Sequence, residues 1–444
     1  MTTRSSPRVR TRTEVLLREA FAFPAVSEER SMRLDDCSPE PNNGGPAVTK
    51  LAVEITRACC LRCDYCYMAD HNAVTMAPET AEATVDWLLR NSGSQERVKI
   101  HFFGGEPLMA PDLMEQLVAY GKRQAKEAGK QMTFGMTTNL VLADKDRVAW
   151  AKRLGMTFHT SIDGAPAAHD KHRVFPNGTG SCEVVAANAR HVLAEYPNIT
   201  ARATVSPDTA PHLYESVLFL AEVGYKNMAF IPVPELDWSD DDLATYDAEM
   251  AKVTEYYLDR YRRGERWSFH ALTKGIKSIA NPKPIEHHCG AGRNYLGVDV
   301  HGTVWPCHRF SGYNVPAEEI ALATVFDDGI SRKEAHRQFV EFRRVDDMKA
   351  DCKSCPAVHA CGSMCVAVSY DQFRELGRTS GRYCELRRLE FKHATWAHYV
   401  LRREGCRAFM SEFYPAARRT AGQPARLSVG GPRTPCPVGY SGHE

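Results

Sequence analysis

Three cysteines, Cys59, Cys63 and Cys66, lie in the run Arg57-Ala58-Cys59-Cys60-Leu61-Arg62-Cys63-Asp64-Tyr65-Cys66-Tyr67. Three thiolates at C-x3-C-x2-C spacing can hold three corners of a [4Fe–4S] cube and leave the fourth iron without a protein ligand. An open iron is what a cluster needs to bind and reduce a small molecule rather than only pass electrons. A structural zinc site is the rival reading, although it ordinarily takes four ligands, often as two C-x2-C pairs. Gaps of three and two residues argue against a disulfide framework.

The C-terminal half is richer in cysteine. Cys289 and Cys307 precede Cys352-x2-Cys355-x5-Cys361-x3-Cys365, and Cys384 follows; Gly302 lies five residues before Cys307. C-x2-C pairs also bind zinc, so on spacing alone two zinc sites and iron–sulfur clusters stand as alternatives.

The elements that must position these thiols are legible in outline. Leu51 to Thr56 is β-branched and partly alternating, a strand running into the first cysteine loop. Further strands are expected near 97–103, 131–138, 156–162, 199–206 and 227–233, and helices near 78–92, 111–128, 144–154, 181–195 and 211–223. Pro78 and Pro111 suit first helical turns. Six strands alternating with helices imply parallel pairing through right-handed crossovers. The chain thus divides into a weakly ordered extension over 1–48 with a helix near Thr13 to Phe21, an α/β barrel over 49–235, a helical bridge over 236–283, a loop-rich cysteine domain over 284–390, and a helix with a disordered tail over 391–444. In the cysteine domain, bound metal would supply much of the folding energy.

The first loop resembles the C-x3-C-x-aromatic-C signature of radical S-adenosylmethionine (SAM) enzymes, with Tyr65 in the aromatic position. The resemblance implies a partial (β/α)6 barrel with its chemistry at the C-terminal mouth. It implies that Cys59, Cys63 and Cys66 ligate a cluster whose open iron takes the amino and carboxylate groups of SAM. One electron then cleaves SAM to methionine and a 5′-deoxyadenosyl radical, which abstracts hydrogen from the substrate. Cys60 stands where relatives carry a polar residue and is treated as a non-ligand. Gly104-Gly105-Glu106-Pro107, after the strand Arg97 to Phe103, resembles the family's GGEP motif. Its glycines would let backbone approach a ligand closely, and Glu106 with nearby carbonyls would accept from the SAM ammonium. Thr138-Asn139 and Ser161-Ile162-Asp163-Gly164 resemble contacts to the SAM ribose and carboxylate, against the alternative of polar strand ends without a ligand. Asp170, His172 and Arg173 resemble an HDxxR-like segment of the maturase branch. Arg202, a partly buried strand arginine that wants an anion, is assigned to the SAM carboxylate.

The downstream cysteines resemble the SPASM extension at all seven positions. That implies two auxiliary [4Fe–4S] clusters, three clusters in all. The first would use Cys289, Cys307 and Cys365, and the second Cys352, Cys355, Cys361 and Cys384. Some relatives supply a further cysteine soon after the first, but Gly290 to Tyr295 offers none. The first auxiliary cluster is therefore expected to have an open iron, or a ligand such as His287, His288 or a substrate cysteine.

Composition narrows the partners. Lys+Arg (56) nearly balance Asp+Glu (55), so no basic field suggests nucleic acid. No run is apolar enough for a membrane span, and the basic Met1 to Arg12 segment lacks the apolar core of a secretory signal. Fifteen cysteines without such a signal point to metal binding in a reducing cytoplasm. Cys37, Cys60, Cys182, Cys406 and Cys436, outside the sets, are read as buried small residues or free thiols. The resemblance implies an external electron donor such as flavodoxin or ferredoxin. It favours a ribosomally made precursor peptide as substrate, receiving a thioether or carbon–carbon crosslink or an oxidation. The extension over 1–48 is short for a leader-binding domain, so a separate leader-recognition protein is expected. Alternatives are radical modification of a sugar, nucleoside or antibiotic intermediate, and formylglycine formation, disfavoured because His308 replaces the acid sulfatase maturases carry after the second auxiliary cysteine. A non-catalytic iron–sulfur carrier, which needs no Gly104–Glu106 motif, is the alternative of another class.

Overall fold

The computed structural model describes residues 46–68, 73–283, 285, 289–313, 315–347 and 350–415. The expected N-terminal helix, most of the tail after Tyr414, and Cys37, His287, His288 and Cys436 lie outside the described residues.

Six strands, β1 (Lys50–Thr56), β2 (Arg97–Gly104), β3 (Gln131–Thr138), β4 (Met156–Ser161), β5 (Thr200–Val205) and β6 (Asn227–Pro232), alternate with helices Pro78–Asn91, Pro111–Glu127, Lys145–Arg153, Cys182–Glu195 and Leu213–Val223. Pro78 and Pro111 occupy first turns as expected, and the Asp144 carboxylate caps the third helix by accepting from Arg147 N at 2.8 Å. Alternation decides the layers. Leu51, Val53 and Ile55, then Val98, Ile100 and Phe102, then Met132, Phe134 and Met136, join helix residues such as Val85, Leu88, Met114 and Leu117 in one core. The intervening residues face the inside of the curved sheet.

All neighbouring pairs from β1 to β6 are parallel, the partial barrel expected from the β/α alternation. The sheet is larger than six strands, however. β7 (Ser268–Phe269) joins β6 in parallel, β8 (Tyr295–Val298) joins the outer edge of β1 in parallel, and β9 (Thr303–Trp305) and β10 (Ala323–Thr324) follow antiparallel. The order is β10-β9-β8-β1-β2-β3-β4-β5-β6-β7. Strands of two to four residues carry no readable period. β8 satisfies backbone groups that the edge of β1 would otherwise leave open, so the cysteine domain grows directly out of the barrel sheet.

Between β6 and the cysteine-rich region lie two helices, Asp240–Arg262, starting in a capping box of Ser239 and Asp242, and His270–Ala280. The helix Gly381–Arg403 runs unbroken through residue 390, capped by Ser380 accepting from Tyr383 N at 3.2 Å. It carries Cys384 in its first turn and is braced to the bridge. Tyr246 donates to Glu390 at 3.0 Å, Arg382 donates to Asp240 at 2.6 Å, and Lys392 and His393 both meet Asp247. Gly275 admits this helix, since a Cβ there would lie 2.4 Å from that of Ala394.

Candidate active site and thiol sets

The loop after β1 sits at the barrel mouth. The charges acting on the Cys63 thiol include Cys59 and Cys66, and Cys66 in turn feels Cys59. Burial pushes the Cys63 thiol up to about 12. Cys60 is engaged locally: its Sγ lies 3.7 Å from Asn139 Oδ1, and Asn139 Nδ2 lies 3.4 Å from Cys60 Sγ and 3.6 Å from Cys59 Sγ. A hydrogen bond between the two adjacent thiols lowers Cys59 and raises Cys60.

Backbone packing explains the glycines. Gly105 N donates to Thr56 O and Glu106 N to Ala58 O, both at 2.8 Å. A Cβ on Gly104 (φ 131°) would sit 2.2 Å from Thr56 O, and one on Gly105 would sit 2.3 Å from Ala58 O. The close approach these glycines permit is therefore to the cysteine loop's own backbone, where the ligand had been expected. Glu106 is fully buried, and its carboxylate accepts from Leu108 N at 3.0 Å and Asn139 N at 2.7 Å. It ties the end of β2 to the end of β3, and each oxygen keeps a further lone pair that an ammonium could use. Burial raises this carboxyl to about 7.

Two buried networks anchor the loop from the far side of the mouth. The Asp163 carboxylate accepts from Tyr65 OH, from Arg173 Nε at 2.8 Å and Nη2 at 3.1 Å, and from Thr204 N at 2.8 Å. Burial alone would raise Asp163, but Arg173, His169 and the hydrogen bonds outweigh it and hold the carboxyl below its ordinary value. His172 bridges Asp64, at 2.8 Å, to Ser206 at 2.8 Å and Asp208 at 3.2 Å. His172 and Arg173 thus position the loop, while Asp170 accepts from Cys182 N at 2.7 Å at the start of Cys182–Glu195. Tyr65 serves the loop through its hydroxyl, with Arg173 5.5 Å from its ring centroid. Ser161 pairs in register with Arg202 across β4 and β5, and the Arg202 charge feels Tyr67 and Tyr295.

The sequence reading missed Asp64, Ser206 and Asp208, and it missed Tyr67. Tyr67 lies among Phe103, His308 and Tyr313 with Arg309 4.9 Å over its ring, and so joins the mouth to the cysteine domain. Asp64 and Tyr67 stood inside the signature run; Ser206 and Asp208 carry no local signal.

The downstream thiols act on one another electrostatically. Cys307 feels Cys365 and Cys289, and Cys289 feels Cys365. Cys384 feels Cys361, Cys352 and Cys355. Of the first group, Cys289 alone borders a shallow surface depression, lined also by Gly290, Ala291, Arg293, Phe339 and Phe342 among others. Tyr295 OH pairs with His308 Nδ1, and burial holds the His308 imidazole down at about 3. Arg309 and Tyr313 both donate to Glu235, at 2.7 Å and 2.6 Å. Among the described residues no three or more His, Cys, Asp or Glu side chains converge on one ion.

Residues 53–220 match the family model described as the Radical SAM superfamily. An uncharacterized protein of Methanocaldococcus jannaschii is 31% identical over 182 residues, covering 40% of this chain and 61%, less than two thirds, of that protein. PqqA peptide cyclase of Xanthomonas axonopodis pv. citri is 23% identical over 70% of this chain and 81% of its own. The solved structure of anSMEcpe with bound AdoMet and Cp18Cys peptide superposes with a TM-score of 0.65 at 19% identity, covering 80% of this chain and 98% of that one. Streptococcus suis SuiB bound to precursor peptide SuiA gives 0.53 at 16% identity, covering 76% of each chain. At these identities the structural likenesses speak to the fold. The mouth loop and its parallel barrel are those of a radical SAM domain, a class that implies SAM and a [4Fe–4S] cluster. Residues 53–220 thus form a radical SAM domain, and the chain is an enzyme similar over 70% of its length to PqqA peptide cyclase.

Proposed function

We propose that this enzyme modifies a ribosomally made precursor peptide, forming a thioether or carbon–carbon crosslink or oxidising a side chain. The observation that carries the reading is His308, next to Cys307, whose ring lies 6.2 Å from that of Tyr67 in the mouth loop and 6.0 Å from that of Tyr295. The mouth loop and the start of the cysteine domain therefore meet around one side chain. Cys59, Cys63 and Cys66 would hold the SAM-binding cluster, with Asn139, Ser161 and Arg202 toward SAM. When bound, that cluster supplies the electron that cleaves SAM to a hydrogen-abstracting 5′-deoxyadenosyl radical. Asp163, Arg173 and His172 hold the loop rigid, and Tyr67 with Phe103 and His308 screens it from water.

Cys289, Cys307 and Cys365, and Cys352, Cys355, Cys361 and Cys384, would hold two auxiliary clusters. Among the described residues the first set has no fourth thiol assigned to it, and Cys289 is exposed, so a substrate cysteine could complete the set. The peptide named for the related cyclase, and the peptides named for the two solved neighbours, support a peptide substrate. We place the reaction in the cytoplasm, with a flavodoxin- or ferredoxin-like donor and a separate leader-recognition protein. No helix among the described residues is long and apolar enough to cross a membrane.

The test is anaerobic reconstitution with iron and sulfide, reduction, and incubation with SAM and short Cys-bearing peptides encoded beside the gene. The reading expects 5′-deoxyadenosine and a peptide lighter by two hydrogens. 5′-Deoxyadenosine with turnover of a sugar or nucleoside, but of no peptide, would overturn the peptide assignment.

A further inference from the structure

The inner face of the barrel is cationic. Alternation sends Leu51, Val53, Val98 and Ile100 to the helices and leaves Lys50, Lys99 and His101 on the inside. Lys50 and Lys99 are direct neighbours in the β1–β2 register, a like-charge pair that costs stability in a sheet. The His101 ring lies 4.7 Å from that of His159 on β4. Charges also reach across the barrel: Arg202 on β5 acts on Lys50 of β1, and Lys50, Lys99 and Arg202 all act on His159. β1 and β5 stand four places apart in the sheet, so these residues meet across the lumen.

The acids are engaged elsewhere. Glu54, on the inner face of β1, is buried and paired with Arg57 at 3.0 Å; Asp163 is paired with Arg173 and Glu235 with Arg309. Among the described residues Lys50, Lys99 and Arg202 form no ion pair. The Lys50 ammonium stands 4.7 Å over the Tyr295 ring. His101 is 5% exposed, pairs its Nε2 with Thr137 Oγ1 at 2.8 Å, and has a buried Nδ1 without a hydrogen-bond partner. Half-buried like charges with no ion pair focus a positive field in a concave space, tempered at Lys50 by the Cys289 thiol, and a carboxylate answers it.

We propose that the barrel lumen is a carboxylate-recognition site in which Lys50 and Lys99 hold an Asp or Glu side chain of the substrate peptide, beside His101 and His159. Arg202 is left to the SAM carboxylate. The inference rests on the peptide reading above and adds its specificity: the modified segment is acidic, and its carboxylate anchors the peptide deep in the lumen, at the end of β1 away from the mouth.

The reconstituted holoenzyme is titrated by calorimetry with acetyl-Gly-Glu-Gly-Glu-Gly-amide, with the matching Gln peptide, and with glutarate. The Glu peptide is expected to bind at least about tenfold tighter than the Gln peptide, the worth of one charge-assisted contact, with the gap narrowing as salt rises. In Lys50→Gln/Lys99→Gln the gap closes while SAM affinity is unchanged, and in Lys50→Arg/Lys99→Arg it persists. The Gln double variant also melts no lower than the parent, because a repulsive pair has been removed. Equal binding of both peptides overturns this inference and leaves the peptide reading intact, as does a gap that survives in the Gln double variant. Binding of glutarate with neither peptide overturns the acidic-peptide occupant and the peptide reading together. Loss of SAM affinity in the Gln double variant reassigns the lysines to SAM and also overturns it.

Discussion

Asp163→Asn isolates the hub that fastens the cysteine loop to the barrel. In the parent, Asp163 is 2% exposed and its two oxygens accept from Tyr65, twice from Arg173, and from Thr204 N. The asparagine keeps the shape and one acceptor oxygen but turns an amide donor toward Arg173, leaving a buried guanidinium unpaired. Breaking one side of a buried ion pair costs about 3–5 kcal/mol. Because the carbonyl still takes some donors, the lower end, about 3 kcal/mol, is expected, roughly a hundredfold in the fraction of molecules with the loop detached. Native-state amide exchange reads this locally: amides of 57–67 should lose protection by that factor, while the helix Gly381–Arg403 is unchanged. Electron paramagnetic resonance should show the SAM-binding cluster depleted and the auxiliary signals retained, with 5′-deoxyadenosine formation falling in step. The pH sign follows from the lowered carboxyl. The hub's contribution is fully present above the ordinary unfolded value near 4 and is lost as pH falls through the folded one, a dependence the asparagine variant should lack. Parent-like loop protection and a full mouth cluster in Asp163→Asn would refute the anchoring argument.

Gly105→Ala places a methyl 2.3 Å from Ala58 O and 2.5 Å from Arg57 O; backbone cannot yield cheaply, so a loss of about 1–3 kcal/mol or more and a collapse of SAM cleavage are expected in stability and 5′-deoxyadenosine assays. Cys384→Ser should lower iron content and abolish peptide product while leaving SAM cleavage without peptide, whereas Cys63→Ser should abolish SAM cleavage itself; equal effects of the two would argue against separate sets. Glu106, raised from 4.5 to about 7 by burial, favours the fold most below its unfolded value and loses that contribution as pH rises toward the folded one. On the order of 3 kcal/mol should therefore be shed between pH 5 and 8 in the apoprotein's unfolding curves, and Glu106→Gln should flatten the profile.

Much of the barrel was readable because each strand and helix advertises itself within a few turns of chain. The Val98-Ile100-Phe102 alternation names both the strand and its buried face, and Pro78 and Pro111 mark where helices start. The short strands β8 to β10 were not readable, since they are specified by the open edge of β1 rather than by their own pattern. Nor was the continuity of Gly381–Arg403, whose first turn carries a thiol of the cysteine domain and whose remainder packs on the bridge.

Thiol spacing is local covalent information, so sequence by itself marked Cys59, Cys63 and Cys66 as one expected set and the seven later cysteines as another. Which groups steady the mouth was decided only in three dimensions. Tyr65 meets Asp163 from 98 positions away and His172 meets Asp64 from 108, contacts that exist because parallel strands return every motif to one end of the barrel. The same folding brings Lys50, Lys99 and Arg202 face to face across the lumen. Side chains that are ordinary strand cations along the chain become one field when the sheet curves around them.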